Sequence, residues 1–218
     1  MKVLKILSVI LVLSFGIINV NAQIRELTEA NASGSNSETG GFDKWQVQIG
    51  SNKYEFNHLG KGKKINAQNR SANFSLPIGK DEIIERKIYL TEYKNDLLAL
   101  YEISVGGDGG AYIVRFNGTN LKPKWQANVS GFNIGNGLIE NQFAYVNAIG
   151  FVGKIDLETG KYIWKHDGLY QKYKAFNAFD GISVTGNKVM FYEEVTSQNV
   201  NSITLDKSDG KIIDVKVN

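Results

Sequence analysis

One short stretch of the chain decides the fold: residues 153–164 read GKIDLETGKYIW. A strand-forming run leads into Asp156, whose carboxylate can accept hydrogen bonds from backbone amides within a tight turn. Gly160 supplies the positive φ that closes such a turn, and Trp164 gives the returning strand a large surface to bury. The stretch therefore predicts a β-hairpin with a buried tryptophan.

The same pattern recurs on both sides of this hairpin. One unit earlier, Asn117 stands in the place of Asp156 and is followed eight residues later by a tryptophan, Trp125. One unit later, Asp206 and Gly210 repeat the turn. The anchor residues of the three turns are 39 and 50 residues apart, which is the length of a four-stranded propeller blade.

Two further strand-like runs precede each hairpin, so that each unit is expected to be an antiparallel meander of four strands. A weaker fourth copy of the meander lies nearer the N-terminus, from Trp45 to Ala67. The sequence therefore predicts a single all-β repeat domain over residues 42–218, a small or partial β-propeller of three to four four-stranded units. A β-sandwich of similar hairpins is the alternative.

The string Asp156, Thr159, Gly160 and Trp164 resembles the D-x-x-T-G-x-x-x-W centre of the tryptophan-docking motif in pyrroloquinoline-quinone-type propeller repeats. The resemblance implies that the tryptophan docks between neighbouring blades and stacks near the turn peptide. It covers about residues 85–218 of the chain. What it implies concerns the fold, and fold does not determine function.

The other two copies depart from this motif. Asn120 and Leu121 replace the threonine and the glycine in the upstream copy, and Asp214 stands where the last copy would have its tryptophan. The chain also has material for only three or four blades, whereas the quinone enzymes of the superfamily close a ring of many. We therefore expect neither quinone binding nor dehydrogenase activity, and no other cofactor.

The N-terminus reads as a cleavable secretory signal over residues 1–22. Two lysines precede an apolar run from Ile6 to Val20, which is shorter than the roughly 20 residues of a membrane-spanning helix. Val20 and Ala22 occupy the two positions that a signal peptidase reads. We expect cleavage near Ala22 and a periplasmic or secreted product that begins at Gln23, without a stable membrane anchor.

Residues 23–41 contain mostly small and polar side chains and predict a flexible leader. The chain has no cysteine, so disulfide bonds do not contribute to its stability. The formal net charge of +3 falls to +1 without the signal, which contains two lysines. This near-neutral balance gives no argument for a nucleic-acid partner, which would require a clustered basic face.

The residues offer little catalytic or metal-binding chemistry. With two histidines, His58 and His166, and no cysteine, the chain lacks thiolate ligands and has few imidazole ligands for a metal. No G-x-S-x-G sequence marks a serine nucleophile. We predict no catalytic residue and no metal site. Four glutamates on predicted strands could still form the carboxylate pair of a hydrolase: Glu102, Glu140, Glu193 and Glu194.

Aromatic side chains on connecting loops are the remaining candidates for function. Residues 168–176 hold Tyr170 and Tyr173 among lysines, and Phe132 lies in the corresponding loop one unit earlier. In a propeller these connections gather on one face, and aromatic side chains are enriched at protein interfaces. The pattern favours a non-catalytic exported module that binds another protein through loops on one face. An inhibitor or immunity-type protein would be a specific version of it.

Two other classes of function stay open. One is a carbohydrate or small-ligand binding protein that uses Trp45, Tyr170 and Tyr173 as stacking surfaces, which requires these rings to be exposed. The other is a carboxylate-dependent hydrolase, which requires two of the four glutamates within about 5 to 9.5 Å of each other in one cleft.

Overall fold

The structure is a computed structural model that describes residues 23–35, 41–106 and 108–218. The predicted signal peptide lies outside the described residues. Within them the chain forms 19 strands and one short helix. No helix in the described ranges is long and apolar enough to cross a membrane.

The elements follow one another as short strands joined by tight turns. The first eleven are β1 (Ile24–Glu26), β2 (Thr28–Glu29), β3 (Asn31–Ser33), β4 (Lys44–Ile49), β5 (Asn52–Asn57), β6 (Lys61–Ile65), β7 (Ser71–Ser75), β8 (Ile83–Tyr93), β9 (Asp96–Val105), β10 (Asp108–Phe116) and β11 (Pro123–Val129). The remainder are β12 (Leu138–Glu140), β13 (Phe143–Ala148), β14 (Phe151–Asp156), β15 (Tyr162–His166), α1 (Leu169–Tyr173), β16 (Gly181–Thr185), β17 (Lys188–Thr196), β18 (Asn199–Asp206) and β19 (Ile212–Lys216).

From β4 onward the strands form four antiparallel meanders, each made of four consecutive strands. Sheet 1 contains β4 to β7, sheet 2 β8 to β11, sheet 3 β12 to β15 and sheet 4 β16 to β19. The predicted units are therefore confirmed, and the weak copy near the N-terminus is a complete sheet. The fold is an all-β, four-bladed partial propeller.

Three apolar clusters hold the sheets together, and each lies between two consecutive sheets. Trp45 and Phe116 belong to the cluster between sheets 1 and 2, and Phe151 to the one between sheets 2 and 3. Trp164 and Phe191 belong to the cluster between sheets 3 and 4. No such cluster of described residues joins sheet 4 to sheet 1, so the four blades form an open arc.

The segment that the sequence predicts as a flexible leader is instead paired over most of its described part. β1 pairs with β12, β2 with β8 and β3 with β4, and these partners are the first strands of sheets 3, 2 and 1. Since ten residues, from Ile24 to Ser33, reach all three, the first strands lie together at the axis of the arc.

The prediction was wrong for residues 24–33 because backbone hydrogen bonds, which composition does not reveal, hold this segment. Two buried side chains between the short strands also hold the segment against the sheets. Leu27 is buried in the cluster between sheets 2 and 3, and Ala30 in the cluster between sheets 1 and 2. The segment thus fastens three blades at their inner edges.

The meander topology places the connections at two opposite ends of the strands. At one end, which we name the turn face, lie the turns between first and second strands and between third and fourth strands. At the other end, the loop face, lie the connections between sheets and the turns between second and third strands. The loop face comprises residues 58–60, 76–82, 130–137, 149–150, 167–180 and 197–198, with Gly106.

Candidate functional site

The turns that the sequence singled out share one hydrogen-bond pattern. The Asp156 carboxylate accepts hydrogen bonds from the amides of Glu158 and Thr159 at 2.8 and 3.0 Å. The Gly160 amide donates to the Asp156 carbonyl at 2.8 Å, and the Gly210 amide donates to the Asp206 carbonyl at 2.9 Å. These turns lie between the third and fourth strands of sheets 3 and 4, on the turn face.

The equivalent turn of sheet 2 keeps this pattern with different residues. The Leu121 amide donates to the Asn117 carbonyl at 2.8 Å, and the Asn117 side chain accepts from the amides of Thr119 and Asn120 at 2.9 and 3.1 Å. Leu121 adopts the positive φ of 54° that glycine has in the other copies. The threonine and the glycine of the motif are therefore not required for the turn itself.

Each tryptophan of the repeat docks on the turn of the following sheet. The Trp125 indole donates to the Leu157 carbonyl at 2.9 Å, which joins sheet 2 to sheet 3. The Trp164 indole donates to the Lys207 carbonyl at 3.1 Å, which joins sheet 3 to sheet 4. These residues fasten neighbouring blades and do not form a ligand site.

The turn glycines are needed because the docked rings lie directly against them. A Cβ atom on Gly160 would lie 2.6 Å from the Trp125 ring, and one on Gly210 would lie 2.5 Å from the Trp164 ring. Asp214 occupies the tryptophan position in sheet 4, where no further described sheet follows. Among sheets 2 to 4, the docking tryptophan is therefore present in the two that are followed by another described sheet and absent from sheet 4.

The loop face carries exposed apolar side chains along the whole arc. Leu59, Val105 and Val195 lie at or beside the turns between second and third strands of sheets 1, 2 and 4, and are 46%, 39% and 52% exposed. Phe132 and Tyr170 lie on the connections that follow sheets 2 and 3, and are 44% and 36% exposed. The described turns of the turn face contain no exposed large apolar side chain.

Phe132 and Tyr170 are held on either side of one turn. The Ile149 amide donates to the Phe132 carbonyl at 2.8 Å, and the Leu169 amide donates to the Gly150 carbonyl at 2.9 Å. A Cβ atom on Gly150 would lie 2.9 Å from the Tyr170 Cβ. The structure therefore brings these two predicted binding residues together at the centre of the loop face.

The other two predicted binding residues are less accessible. Tyr173 packs edge-on against Phe176, with ring centroids 6.0 Å apart, and joins the cluster between sheets 3 and 4. Trp45 is fully buried between sheets 1 and 2, and its indole donates to the Arg86 carbonyl at 3.0 Å. The prediction that Trp45 is a binding residue was wrong, because the alternation of side chains along β4 turns its ring toward sheet 2. The stacking surface predicted for a carbohydrate therefore loses Trp45, and the Tyr173 ring is only partly exposed.

Buried polar side chains on second strands hold the loop-face connections in place. Glu193 on β17 accepts hydrogen bonds from the amides of Phe176 and Asn177 at 2.7 and 2.8 Å. Glu102 on β9 accepts one from the Ile134 amide at 2.7 Å. Asn147 on β13 accepts one from the adjacent Gly135 amide at 2.8 Å. The loop face is thus presented by a fixed scaffold.

The two buried glutamates differ in their acidity. Desolvation raises the pKa of Glu102, and the hydrogen bond from Ile134 offsets only part of this effect. Desolvation also acts on Glu193, but hydrogen bonds from Asn201 and three backbone amides outweigh it and hold the pKa of Glu193 below its ordinary value. Glu193 is therefore a stable anion that anchors the connection between sheets 3 and 4.

The four glutamates proposed for a hydrolase are distributed over three sheets. Glu102 lies in sheet 2, Glu140 in sheet 3, and Glu193 and Glu194 in sheet 4. Glu140 accepts hydrogen bonds from the Tyr145 hydroxyl and the Lys207 ammonium at 3.0 and 2.7 Å. Neighbouring residues on a strand point to opposite faces, so Glu193 and Glu194 do not form a pair either. Within the described ranges, no group of acidic or histidine side chains could hold a metal ion.

Glu193→Ala is expected to lower the free energy of unfolding by about 2–3 kcal/mol, because it leaves buried amides without an acceptor. Since the folded-state pKa of Glu193 is lowered, its contribution is present above the unfolded value of about 4.3 and is lost as pH falls below it. Urea unfolding at pH 7 and pH 3, together with hydrogen exchange of residues 176–178, measures both effects.

The matched control is Glu194→Ala, which removes an exposed carboxylate from the next position of the same strand. We expect a change within about 0.5 kcal/mol for this variant. Unchanged exchange protection of residues 176–178 in Glu193→Ala would contradict the anchoring role.

No protein-family model matches the chain, and no curated protein matches it either. Among solved structures, it is similar to a europium-containing methanol dehydrogenase, with a TM-score of 0.47 and 10% identity over 78% of this chain and 40% of that one.

It is also similar to apo AztD from Citrobacter koseri (TM-score 0.42, 17% identity, 78% of this chain and 45% of that one). A third similar structure is BamB from Moraxella catarrhalis, with a TM-score of 0.38 and 9% identity over 90% of this chain and 75% of that one. The chain spans less than half the length of the first two structures. These similarities concern the fold alone.

Proposed function

We propose that the chain is an exported, non-catalytic module that binds another protein through its loop face. The observation that carries this proposal is the series of exposed apolar side chains along that face: Leu59, Val105, Phe132, Tyr170 and Val195. Apolar side chains gathered on one surface are typical of protein interaction sites. The described turns at the opposite end of the strands are polar, so the exposed apolar side chains distinguish the loop face from the turn face.

Phe132 and Tyr170 are the expected centre of the interface. Aromatic residues supply much of the binding energy where they can be desolvated by a partner. Both are fixed through backbone hydrogen bonds around the turn at residues 149–150, so little conformational entropy is lost on binding. Export is inferred from the predicted signal over residues 1–22, and an exported enzyme would be the partner if the role is that of an inhibitor or immunity-type protein.

The variant Phe132→Ser/Tyr170→Ser is expected to weaken binding of the partner by at least about tenfold, because truncating a hot-spot side chain costs about 1–2 kcal/mol or more. The partner is first isolated from the exported fraction with the wild-type chain and identified by mass spectrometry. Its affinity for each variant is then measured by surface plasmon resonance.

The control variant is Ile163→Ser/Ile213→Ser, which removes two apolar side chains that are each 46% exposed on the outermost strands of sheets 3 and 4. We expect this control to bind as the wild type does. The proposal is wrong if the control weakens binding as much as the loop-face variant, or if the loop-face variant binds normally.

A further inference from the structure

The outward face of sheet 1, turned away from sheet 2, forms a hollow of about 780 Å³. Side chains alternate between the two faces of a strand, and β4 follows this rule, since Trp45 and Val47 are buried while Lys44 and Gln46 are exposed. β3 adds a fifth strand to the sheet, so the hollow spans five strands.

Polar side chains line the hollow in rows that cross the strands. In one row, Gln46 on β4 lies opposite Glu55 on β5, Glu55 lies opposite Lys63 on β6, and Lys63 lies opposite Asn73 on β7. Amide, carboxylate and ammonium groups therefore follow one another across four strands, each in position to make hydrogen bonds with a ligand.

A second row runs beside the first, nearer the loop face. Lys44 on β4 lies opposite Asn57 on β5, and Lys61 on β6 lies opposite Ser75 on β7. Lys44, Lys61 and Ser75 are exposed, and Asn57 is partly exposed. The two rows together place polar side chains along the length of the hollow.

The charged side chains of this lining are three lysines and one glutamate, so its net charge is positive. Lys44, Lys61 and Lys63 make no ion pair with any described residue. Glu55 is the acidic residue of the lining, and it is already paired with Lys53 at 2.8 Å. Strand geometry sets Lys61 and Lys63 about 7 Å apart, and Lys44 about 10 Å from Lys61 across two strand spacings. The three free cations are thus spread along the hollow.

A terminal repeat needs a polar outer face for solubility, but this requirement does not explain a charge bias. The outward face of sheet 4, at the other end of the arc, meets it with mixed charges. Lys188 and Lys216 are present there together with Asp206, Asp214 and Glu194. The unpaired lysines of sheet 1 are therefore a separate feature of that end.

We propose that the hollow of sheet 1 binds an acidic polysaccharide, a hydroxyl-rich chain that carries carboxylate or sulfate groups at intervals. Lys44, Lys61 and Lys63 would contact successive anionic groups, and the amides of Gln46 and Asn73 would bind sugar hydroxyls. A single-stranded nucleic acid fits less well, because its bases require exposed aromatic rings, and the rings of this sheet are buried on its other face. This site lies on a different surface from the proposed protein interface.

The test compares two triple variants that remove the same number of charges. Lys44→Ser/Lys61→Ser/Lys63→Ser changes the hollow, whereas Lys122→Ser/Lys161→Ser/Lys211→Ser changes exposed lysines in turns of sheets 2, 3 and 4. Binding to polygalacturonate, which carries carboxylates, and to heparin, which also carries sulfates, is measured by calorimetry. Circular dichroism verifies that both variants are folded.

We expect the hollow variant to bind at least about tenfold more weakly and the turn variant to bind within about twofold of the wild type. Comparing the two polysaccharides identifies which anionic group is preferred, and neutral dextran should not bind. The proposal is overturned if both variants weaken binding equally, if neither polysaccharide binds, or if a DNA strand of matched charge binds more tightly than either.

Discussion

Trp164→Ala is expected to lower the free energy of unfolding by about 3–5 kcal/mol, the range found when a buried tryptophan is truncated. The side chain is 7% exposed and lies against Tyr145, with ring centroids 6.1 Å apart. Its indole also donates to the Lys207 carbonyl in the next sheet. The variant therefore loses packing within sheet 3 and the fastening to sheet 4, and urea unfolding measures the sum.

A mutant cycle with Gly210 separates the docking contact from the rest of this effect. Gly210→Ala combines a φ of +76° with a Cβ atom 2.5 Å from the Trp164 ring, whereas in the Trp164→Ala background only the backbone strain remains. Gly186→Ala is the control for strain, since Gly186 has a φ of +55° and nothing within 4 Å of a Cβ atom. If Gly210→Ala is equally costly in both backgrounds, the docking interpretation is wrong.

The sequence predicted the elements whose structure depends on neighbouring residues. Asp156, Gly160 and Trp164 determine a turn and its buried strand within nine residues, so the hairpin and its repeats could be recognised without the structure. Three of the four strands of sheet 1 also lie within the predicted copy from Trp45 to Ala67, although that copy has no docking motif, whereas β7 lies beyond it. Local turn chemistry and alternation of side chains were sufficient for these elements.

The paired N-terminal segment could not be predicted in the same way. Ile24 pairs with Glu140, more than a hundred residues away, and neither side chain marks this contact. Trp45 shows the same difficulty for the site, because alternation predicts two faces of a strand without deciding which one is buried. Which face is covered depends on sheet 2, whose position follows from the whole arc.

Only some of the exposed apolar side chains of the loop face could be identified from the sequence. Phe132 and Tyr170 were selected as aromatics on long connections, but Leu59, Val105 and Val195 are single aliphatic residues at short turns and were missed. A signal was nevertheless present, since each stands beside the turn between the second and third strands of a predicted unit. Aligning the repeats by strand order, in addition to the docking motif, would have found all three.

A second set of hydrogen bonds, besides that of Trp125, joins sheet 2 to sheet 3. Arg115 in sheet 2 and its partner Asp96 are both buried, and the guanidinium Nε donates to the Asp96 carboxylate at 2.6 Å. The same guanidinium donates to the Leu157 carbonyl and the Glu158 carboxylate at 2.7 and 2.9 Å. These last two groups belong to the turn on which Trp125 docks, so one side chain ties sheet 2 to that turn.

Arg115→Leu is expected to lower the free energy of unfolding by about 3 kcal/mol, because buried Asp96 loses one of its two cationic partners and keeps only Lys124 at 2.6 Å. Lys94→Leu is the matched control: Lys94 pairs with the same Glu158 at 2.7 Å but is exposed, and solvent screens such a pair, so a smaller loss is expected. A loss in Arg115→Leu no larger than that in the control would contradict the role of the buried network.

The same network predicts how stability depends on acidity. Hydrogen bonds from Lys94 and then Arg115 lower the pKa of Glu158 to about 2. Desolvation raises the pKa of Asp96, but hydrogen bonds from Lys124, Gly118 and Arg115 outweigh it and lower this pKa. Carboxyl groups with lowered folded-state pKa values stabilise the fold above their unfolded values of about 4, and this contribution is lost as pH falls toward 2. The wild type should therefore lose stability over that range, and Arg115→Leu should lose less of it because part of the linkage is already absent.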